Sequence, residues 1–121
     1  MGFKELVKKV QTRSGFSDSE SQEALELMVE TLAERLEEGE RKDFASQLPT
    51  ELQDIALAVM PTNDDRKRDL IQEFMEKEAI EESRAKKQIF AAWETLKEEI
   101  SDGEIRHIKT QLPRNTAELL Y

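Results

Sequence analysis

The segment GERKDFASQLP, residues 39–49, decides the fold, because the chain repeats its pattern as GEIRHIKTQLP at residues 103–113. A shift of 64 residues carries the first segment onto the second without a gap, since 103 − 39 = 64. The same shift carries apolar residues onto apolar residues, placing Leu25, Val29, Leu32 and Leu36 on Ile89, Trp93, Leu96 and Ile100. Because core positions, Gly and Pro recur in one register, the sequence predicts an internal duplication.

The composition favours helices over strands. Charged and hydrophobic residues each make up 37% of the 121 residues, and only 4 Gly and 3 Pro interrupt them. We expect an all-α fold in which two tandem copies of a roughly 64-residue four-helix unit pack as a compact helical bundle. Residues 1–60 would form the first repeat, 61–66 a linker and 67–121 the second repeat, together one structural domain.

The start of each repeat carries local signals for a short helix followed by a longer one. One helical face collects Phe3, Leu6, Val7 and Val10. Gly15 suits the end of this helix, and Ser17 to Glu20 match a capping box for the next one. The second repeat has Ala79 and Glu81 at the matching positions, which predicts a tighter or more helical turn and a weaker cap.

The second helix is predicted to be long and amphipathic and to end at Gly39, as its copy would end at Gly103. At about 100° per residue, one face collects the apolar side chains of Leu25, Met28, Val29, Leu32 and Leu36. The opposite face carries Glu23, Glu26, Glu30, Glu34 and Glu37 and is expected to face solvent.

The segment from Leu32 to Leu52, with its counterpart from Leu96 to Pro113, resembles the bacterial helical family called domain of unknown function 2267. In that family a long helix ends in a Leu-Ala-x-Arg-Leu type run, and Gly-Glu and Gln-Leu-Pro follow, often twice. The resemblance covers nearly the whole chain, although the second copy has Leu-Lys-Glu-Glu-Ile in place of that run. It implies the fold and a prokaryotic origin, and it brings no established activity, substrate or catalytic residue.

Charge and residue content exclude several classes of function. The net charge of −9 opposes nucleic-acid binding. No apolar run approaches about 18 residues, so integral membrane insertion is not expected, and the N-terminus lacks the apolar region of a signal peptide. With no Cys, one His and no Gly-rich phosphate loop, the sequence shows no catalytic constellation. We therefore expect a cytoplasmic protein that is not an enzyme and carries no cofactor.

Glu104 and His107 form the pattern with the most specific chemistry, because Glu-x-x-His places a carboxylate beside an imidazole, as in di-iron bundles. The 64-residue shift puts Glu40 and Asp43 at the matching positions, so two pairs could converge if the repeats faced each other. The alternative is structural, since Ser101 to Glu104 reads as a helix N-cap and acidic residues favour the first turn. The structural interpretation is preferred: no metal site is assigned, and His107 is expected at the surface.

Gln47 and Gln111 each precede Leu-Pro at a corner between two helices, with Pro49 and Pro113 starting the next helix. A Gln amide offers two donors that could bond the helix carbonyls left unpaired at such a corner. We expect a structural corner used twice, with contact to a shared ligand as the alternative.

Phe90 is the strongest candidate for an interaction surface. It lies about 80° from the apolar face of its helix, and Glu26 occupies the matching position in the first copy. Ala91 and Leu27 would accompany it on the polar side. An aromatic residue at such a position is expected to contact either the other repeat or a partner.

On sequence grounds we expect a non-catalytic helical module that binds another, unidentified protein or itself. The first alternative is a small-ligand or metal-binding protein that uses a cleft between the repeats. The second is a peripheral membrane-associated stress or regulatory protein, because the first helix sets Lys4, Lys8 and Lys9 against its apolar face.

Overall fold

A computed structural model describes residues 2–121, apart from the side chains of Asn63 and Asp65. Within this range the chain forms nine α-helices and no strand, which confirms the all-α class. In chain order they are α1 Phe3–Ser14, α2 Asp18–Arg35, α3 Glu38–Ser46, α4 Thr50–Ala58, α5 Asn63–Lys67, α6 Leu70–Glu78, α7 Glu82–Glu99, α8 Asp102–Gln111 and α9 Arg114–Leu120.

The starts of three helices in the second half lie 64 residues after those in the first. They are residues 18 and 82 for α2 and α7, 38 and 102 for α3 and α8, and 50 and 114 for α4 and α9. The bounds therefore follow the register of the proposed duplication, which itself stays a prediction that a superposition of the halves would test.

The core is built around α2 and α7. Both pack against α1 and against each other, α2 also contacts α4 and α5, and α7 contacts α6. One apolar cluster extends through both halves of the chain, and Leu25, Met28, Val29 and Leu32 are fully buried in it. In the second half the Trp93 indole N–H donates to the carbonyl of Leu120 at 3.1 Å. Because a single core serves both halves, each half depends on the other for burial of its apolar surface.

Local signals at the helix starts give the predicted caps. The Ser17 hydroxyl accepts from the Glu20 N–H while the Glu20 carboxylate accepts from the Ser17 N–H, which completes the capping box. Glu81 makes no such side-chain cap for α7, as predicted.

Gly15 ends α1 at a φ of 78°. Ala79 ends α6 in the same left-handed region, at a φ of 53°.

The predicted ends of the long helices are wrong. The chain leaves α2 at Leu36 and α7 at Ile100, both in extended backbone, and Gly39 and Gly103 lie inside the following helices. Leu36 is fully buried, so packing ends the helix where the sequence offers no glycine. The linker predicted at 61–66 likewise contains most of the short helix α5.

The prediction that one whole face of α2 carries solvated carboxylates is also wrong. Glu34 is only 9% exposed, and Leu27, expected among the carboxylates, is 8% exposed. The helical wheel assumed a single buried face, whereas α1, α4, α5 and α7 all contact α2. Ala91 on α7 is buried for the corresponding reason, since α1, α2 and α6 contact that helix.

Candidate functional site

Helices α3 and α8 pack against each other and bring their first turns together. The side-chain oxygen of Gln47 accepts from the Ser101 N–H at 2.7 Å, just before α8. The side-chain oxygen of Gln111 accepts from the Glu37 N–H at 2.9 Å, just before α3. Each contact satisfies a backbone donor that the helix itself leaves unpaired. We call these two hydrogen bonds the reciprocal glutamine contacts.

The corner residues therefore act differently from the prediction. Gln47 ends α3 and Pro49 precedes α4, while Gln111 ends α8 and Pro113 precedes α9. The sequence correctly indicated two corners. It predicted that the glutamines would donate to nearby carbonyls, whereas their oxygens accept from the opposite half of the chain.

Beside the reciprocal glutamine contacts, three of the predicted candidates come together. One ligand atom each of Glu40, Glu104 and His107 lies within 4.8 Å of the others. Glu40 belongs to the first turn of α3, whereas Glu104 and His107 lie one turn apart on α8. We call these three residues the α3/α8 cluster. Asp43, the fourth candidate, is exposed and is not among its members.

The Glu104 carboxylate is buried without sufficient polar partners. Its side chain is only 6% exposed, because α8 turns this residue inward from the cap at Ser101. No N–H or hydroxyl group in the described part of the chain donates to Glu104 Oε1, and the same is true of Glu40 Oε1. A buried carboxylate oxygen without such a donor costs free energy unless a proton shared with Glu40 or a bound cation compensates it.

Charge repulsion accompanies this burial. Burial first, then a hydrogen-bonding contact with Glu40 and the charges of Glu40 and Asp43, raise the pKa of Glu104 to about 8. Two neighbouring carboxylates disfavour double ionisation, so one of them holds a proton more tightly than an isolated carboxyl would. Asp43 therefore acts on the cluster through its charge.

A second ionic cluster, which the sequence analysis missed, joins α2 to α6. The Arg35 guanidinium donates to Glu73 Oε1 at 3.0 Å, and both side chains are buried. Lys77 reaches both Glu73 at 3.2 Å and Glu34 at 3.5 Å. Across the molecule, Arg13 and Lys9 of α1 pair with Glu98 of α7 and lower the pKa of Glu98 to about 2.

The ionic cluster between α2 and α6 and the one between α1 and α7 occupy matching positions in the two copies. The 64-residue shift carries Arg13 onto Lys77 and Glu34 onto Glu98, since 13 + 64 = 77 and 34 + 64 = 98. A comparison of charged positions between the two copies would have indicated both pairings. Burial of Glu34, Arg35 and Glu73 could not be read from the pattern, because it depends on how α2 and α6 pack.

The three interaction candidates do not form one surface. Leu27 and Ala91 are buried, whereas Phe90 is 41% exposed. Phe90 lines a shallow depression of about 400 Å³ together with Arg13, Lys87, Ala91 and Glu94. The predicted patch is therefore reduced to a single aromatic side chain.

The apolar face of α1 faces the core. Leu6, Val7 and Val10 are at most 4% exposed and belong to the central cluster. This face is not available to a membrane surface unless the helix detaches. Within residues 2–121, none of the helices has the length and apolarity needed to cross a membrane.

The structure thus defines an all-helical protein with a carboxylate–imidazole cluster between two packed helices. The family model described as "Uncharacterized conserved protein (DUF2267)" matches residues 3–119. The chain belongs to this family, as its resemblance indicated. No curated protein sequence matches it.

Proposed function

We propose that this protein is a non-catalytic helical module that binds a cation between α3 and α8. The observation that carries the proposal is the buried Glu104 carboxylate, whose Oε1 accepts from no N–H or hydroxyl group among the described residues. Removal of a carboxylate from water costs several kcal/mol unless a positive charge or donors replace the water. Glu40 and His107 beside it supply further electron-pair donors.

This proposal places ligand binding between the halves ahead of protein interaction. Of the interaction candidates Phe90, Ala91 and Leu27, only Phe90 is exposed and so available to a partner. The non-catalytic part rests on composition, since the chain has no Cys and 1 His. That one His lies beside the carboxylates of Glu40 and Glu104.

The test compares cations on tag-free, chelator-treated protein. Calorimetric melting temperatures would be measured with Mg²⁺, Ca²⁺, Mn²⁺, Zn²⁺ and putrescine, an organic dication. A cation that prefers the folded state raises the melting temperature by mass action, and we expect at least one to do so. The gain should vanish in Glu104→Gln.

Glu38→Gln is the matched control, because Glu38 lies on the first turn of α3 but its side chain is exposed and outside the cluster. This variant should keep the response to the cation. If no cation in the panel raises the melting temperature of the wild-type protein, the proposal is wrong, and the carboxylates share a proton instead.

Protein interaction remains a second candidate because of Phe90. Its ring is 41% exposed in the middle of α7, where the matching residue of α2 is Glu26. A large aromatic side chain at that position is the kind of residue that anchors protein interfaces.

A further inference from the structure

We propose that the cation is a first-row transition metal ion of the Zn²⁺ type, coordinated by Glu40, Glu104 and His107. This inference rests on the proposed function, because it names the class of cation that the same cluster binds. Neither the family description nor the composition assigns any metal to this chain.

The ligand set favours this class of metal. Imidazole nitrogen suits Zn²⁺, Fe²⁺, Co²⁺ and Ni²⁺, whereas Ca²⁺ and Mg²⁺ prefer oxygen ligands alone. Ca²⁺ also takes six to eight oxygens, and the cluster supplies two carboxylates. Two carboxylates and one imidazole are a ligand set found in protein sites for borderline divalent metals.

The geometry allows coordination with a small adjustment. Zn–N and Zn–O bonds of about 2.0–2.2 Å at tetrahedral angles place neighbouring ligand atoms about 3.4 Å apart. The three ligand atoms now lie within 4.8 Å of one another, so closure of about 1.4 Å or less is sufficient. His107 is exposed and Glu40 half-buried, which leaves both side chains room to rotate toward the fixed Glu104.

Helices α3 and α8 position the three ligand side chains without a bound metal. Glu104 and His107 are three residues apart on α8, a spacing that places side chains on one face. Ser101 caps α8 through the Glu104 N–H at 3.1 Å, and Gln47 holds the Ser101 N–H. Glu40 approaches from α3, so a bound metal would join segments from the two halves of the chain. Three protein ligands would leave one position of a tetrahedral metal for water.

The charge balance supports a divalent ion over a monovalent one. The carboxylates of Glu40 and Glu104 lie within 4.8 Å of each other, and the charge of Asp43 acts on Glu104 as well. A divalent cation would neutralise both carboxylates at once, whereas a shared proton neutralises one.

Isothermal titration calorimetry and Co²⁺ absorption test the inference on tag-free, chelator-treated protein. We expect Zn²⁺ to bind at one site per chain and Co²⁺ to give the visible bands of a low-coordinate nitrogen–oxygen site. His107→Ala should weaken Zn²⁺ binding at least about tenfold, since changes in the surroundings of metal ligands alone cost 10- to 100-fold. His107 is exposed, so this variant should fold normally, and circular dichroism would verify it.

The outcomes separate this inference from the proposed function. If Mg²⁺ or Ca²⁺ binds as tightly as Zn²⁺, or His107→Ala leaves Zn²⁺ affinity unchanged, the transition-metal assignment is wrong while cation binding at Glu104 stands. If no cation binds the wild-type chain, both proposals are wrong. Glu38→Gln again serves as the control that removes a nearby charge without removing a ligand.

Discussion

The pKa of the Glu34 carboxyl group depends on charged neighbours on α2 and α6. Its side chain is almost fully buried, and burial together with hydrogen bonding to Glu73 raises the pKa of Glu34 to about 7. Burial alone would also raise the pKa of Glu73, but hydrogen bonds from Glu34 and Arg35 and the Arg35 charge hold it below its usual value. Lys77 and Glu30 complete the charged groups that face Glu34. In its protonated form Glu34 can donate to the ionised Glu73.

This arrangement predicts a pH-dependent stability at the residue scale. The folded pKa of Glu34 is raised, so its favourable contribution is complete below about 4.5 and is lost as pH rises through about 7. Glu34→Gln retains a donor to Glu73 without a titratable group. We expect equal stability at pH 4.5, and at pH 8 a variant more stable than the wild type by about 1–3 kcal/mol in urea denaturation.

Glu73→Gln is the contrasting variant. It leaves the buried Arg35 without its carboxylate, so it should destabilise the protein by about 3–5 kcal/mol at both pH values. A Glu34→Gln protein that loses stability at pH 8 would contradict the proton-sharing arrangement.

At the scale of the element, the ends of α1 and α6 allow the cost of a left-handed backbone conformation to be measured. Ala79 holds a left-handed φ of 53°, a conformation that costs a residue with a Cβ about 1–2 kcal/mol. Ala79→Gly should therefore stabilise the protein by about 1 kcal/mol. The measurement is the midpoint of urea denaturation at constant slope.

Gly15→Ala is the reciprocal change at the matching helix end. A Cβ at Gly15 would meet no atom within 4 Å, so any loss of stability reports the backbone conformation alone. We expect a loss of about 1 kcal/mol. Equal stability of wild-type protein and both variants would show that the left-handed turns carry no strain.

The sequence predicted the elements where the signal is local. Ser17, Pro49 and Ser101 begin helices because capping and proline geometry depend on a few neighbouring residues. The end of α2 was missed, because burial of Leu36 and not a glycine determines it. The burial of Leu27 was missed for a related reason, since contacts with several helices cannot be read from one helical period.

Part of the candidate site could likewise be predicted from local sequence, and part depends on how the helices pack. The spacing of Glu104 and His107 on one helix was visible in the sequence, as was the matching position of Glu40. Their meeting depends on α3 packing against α8, which is a contact between residues 64 apart. The low accessibility of Glu104 is the property that favours a ligand, and no local pattern encodes it.

At the scale of the whole molecule, the reciprocal glutamine contacts predict a specific mutational pattern. Gln47→Ala removes the acceptor for the Ser101 N–H and should cost about 1 kcal/mol. Gln47→Glu keeps an acceptor oxygen and adds negative charge at a helix N-terminus, so its stability should equal or exceed that of the wild type. Thermal denaturation of both variants would decide the matter. A destabilised Gln47→Glu would indicate that the amide donors matter instead.

Phe90 provides the whole-molecule test for protein interaction. Because its ring is 41% exposed, Phe90→Glu should change the free energy of unfolding by less than about 1 kcal/mol. The interaction hypothesis then predicts a shift toward lower mass, or loss of a bound partner, in sedimentation velocity. Leu57→Glu is the control, since Leu57 is 53% exposed on α4. Identical sedimentation of all three proteins would exclude an interface at Phe90.

The reciprocal glutamine contacts also bear on how such a chain could have arisen. Residue 47 contacts residue 101 and residue 111 contacts residue 37, and both pairs become equivalent when 64 is subtracted from the second-half numbers. That reciprocity is the mark of an isologous interface between two identical subunits. A chain of half this length would have unfilled helix caps and half a core, and two copies would supply both to each other. In these two contacts the single polypeptide has the pattern of a homodimer whose subunits have been joined end to end, with α5 as the join.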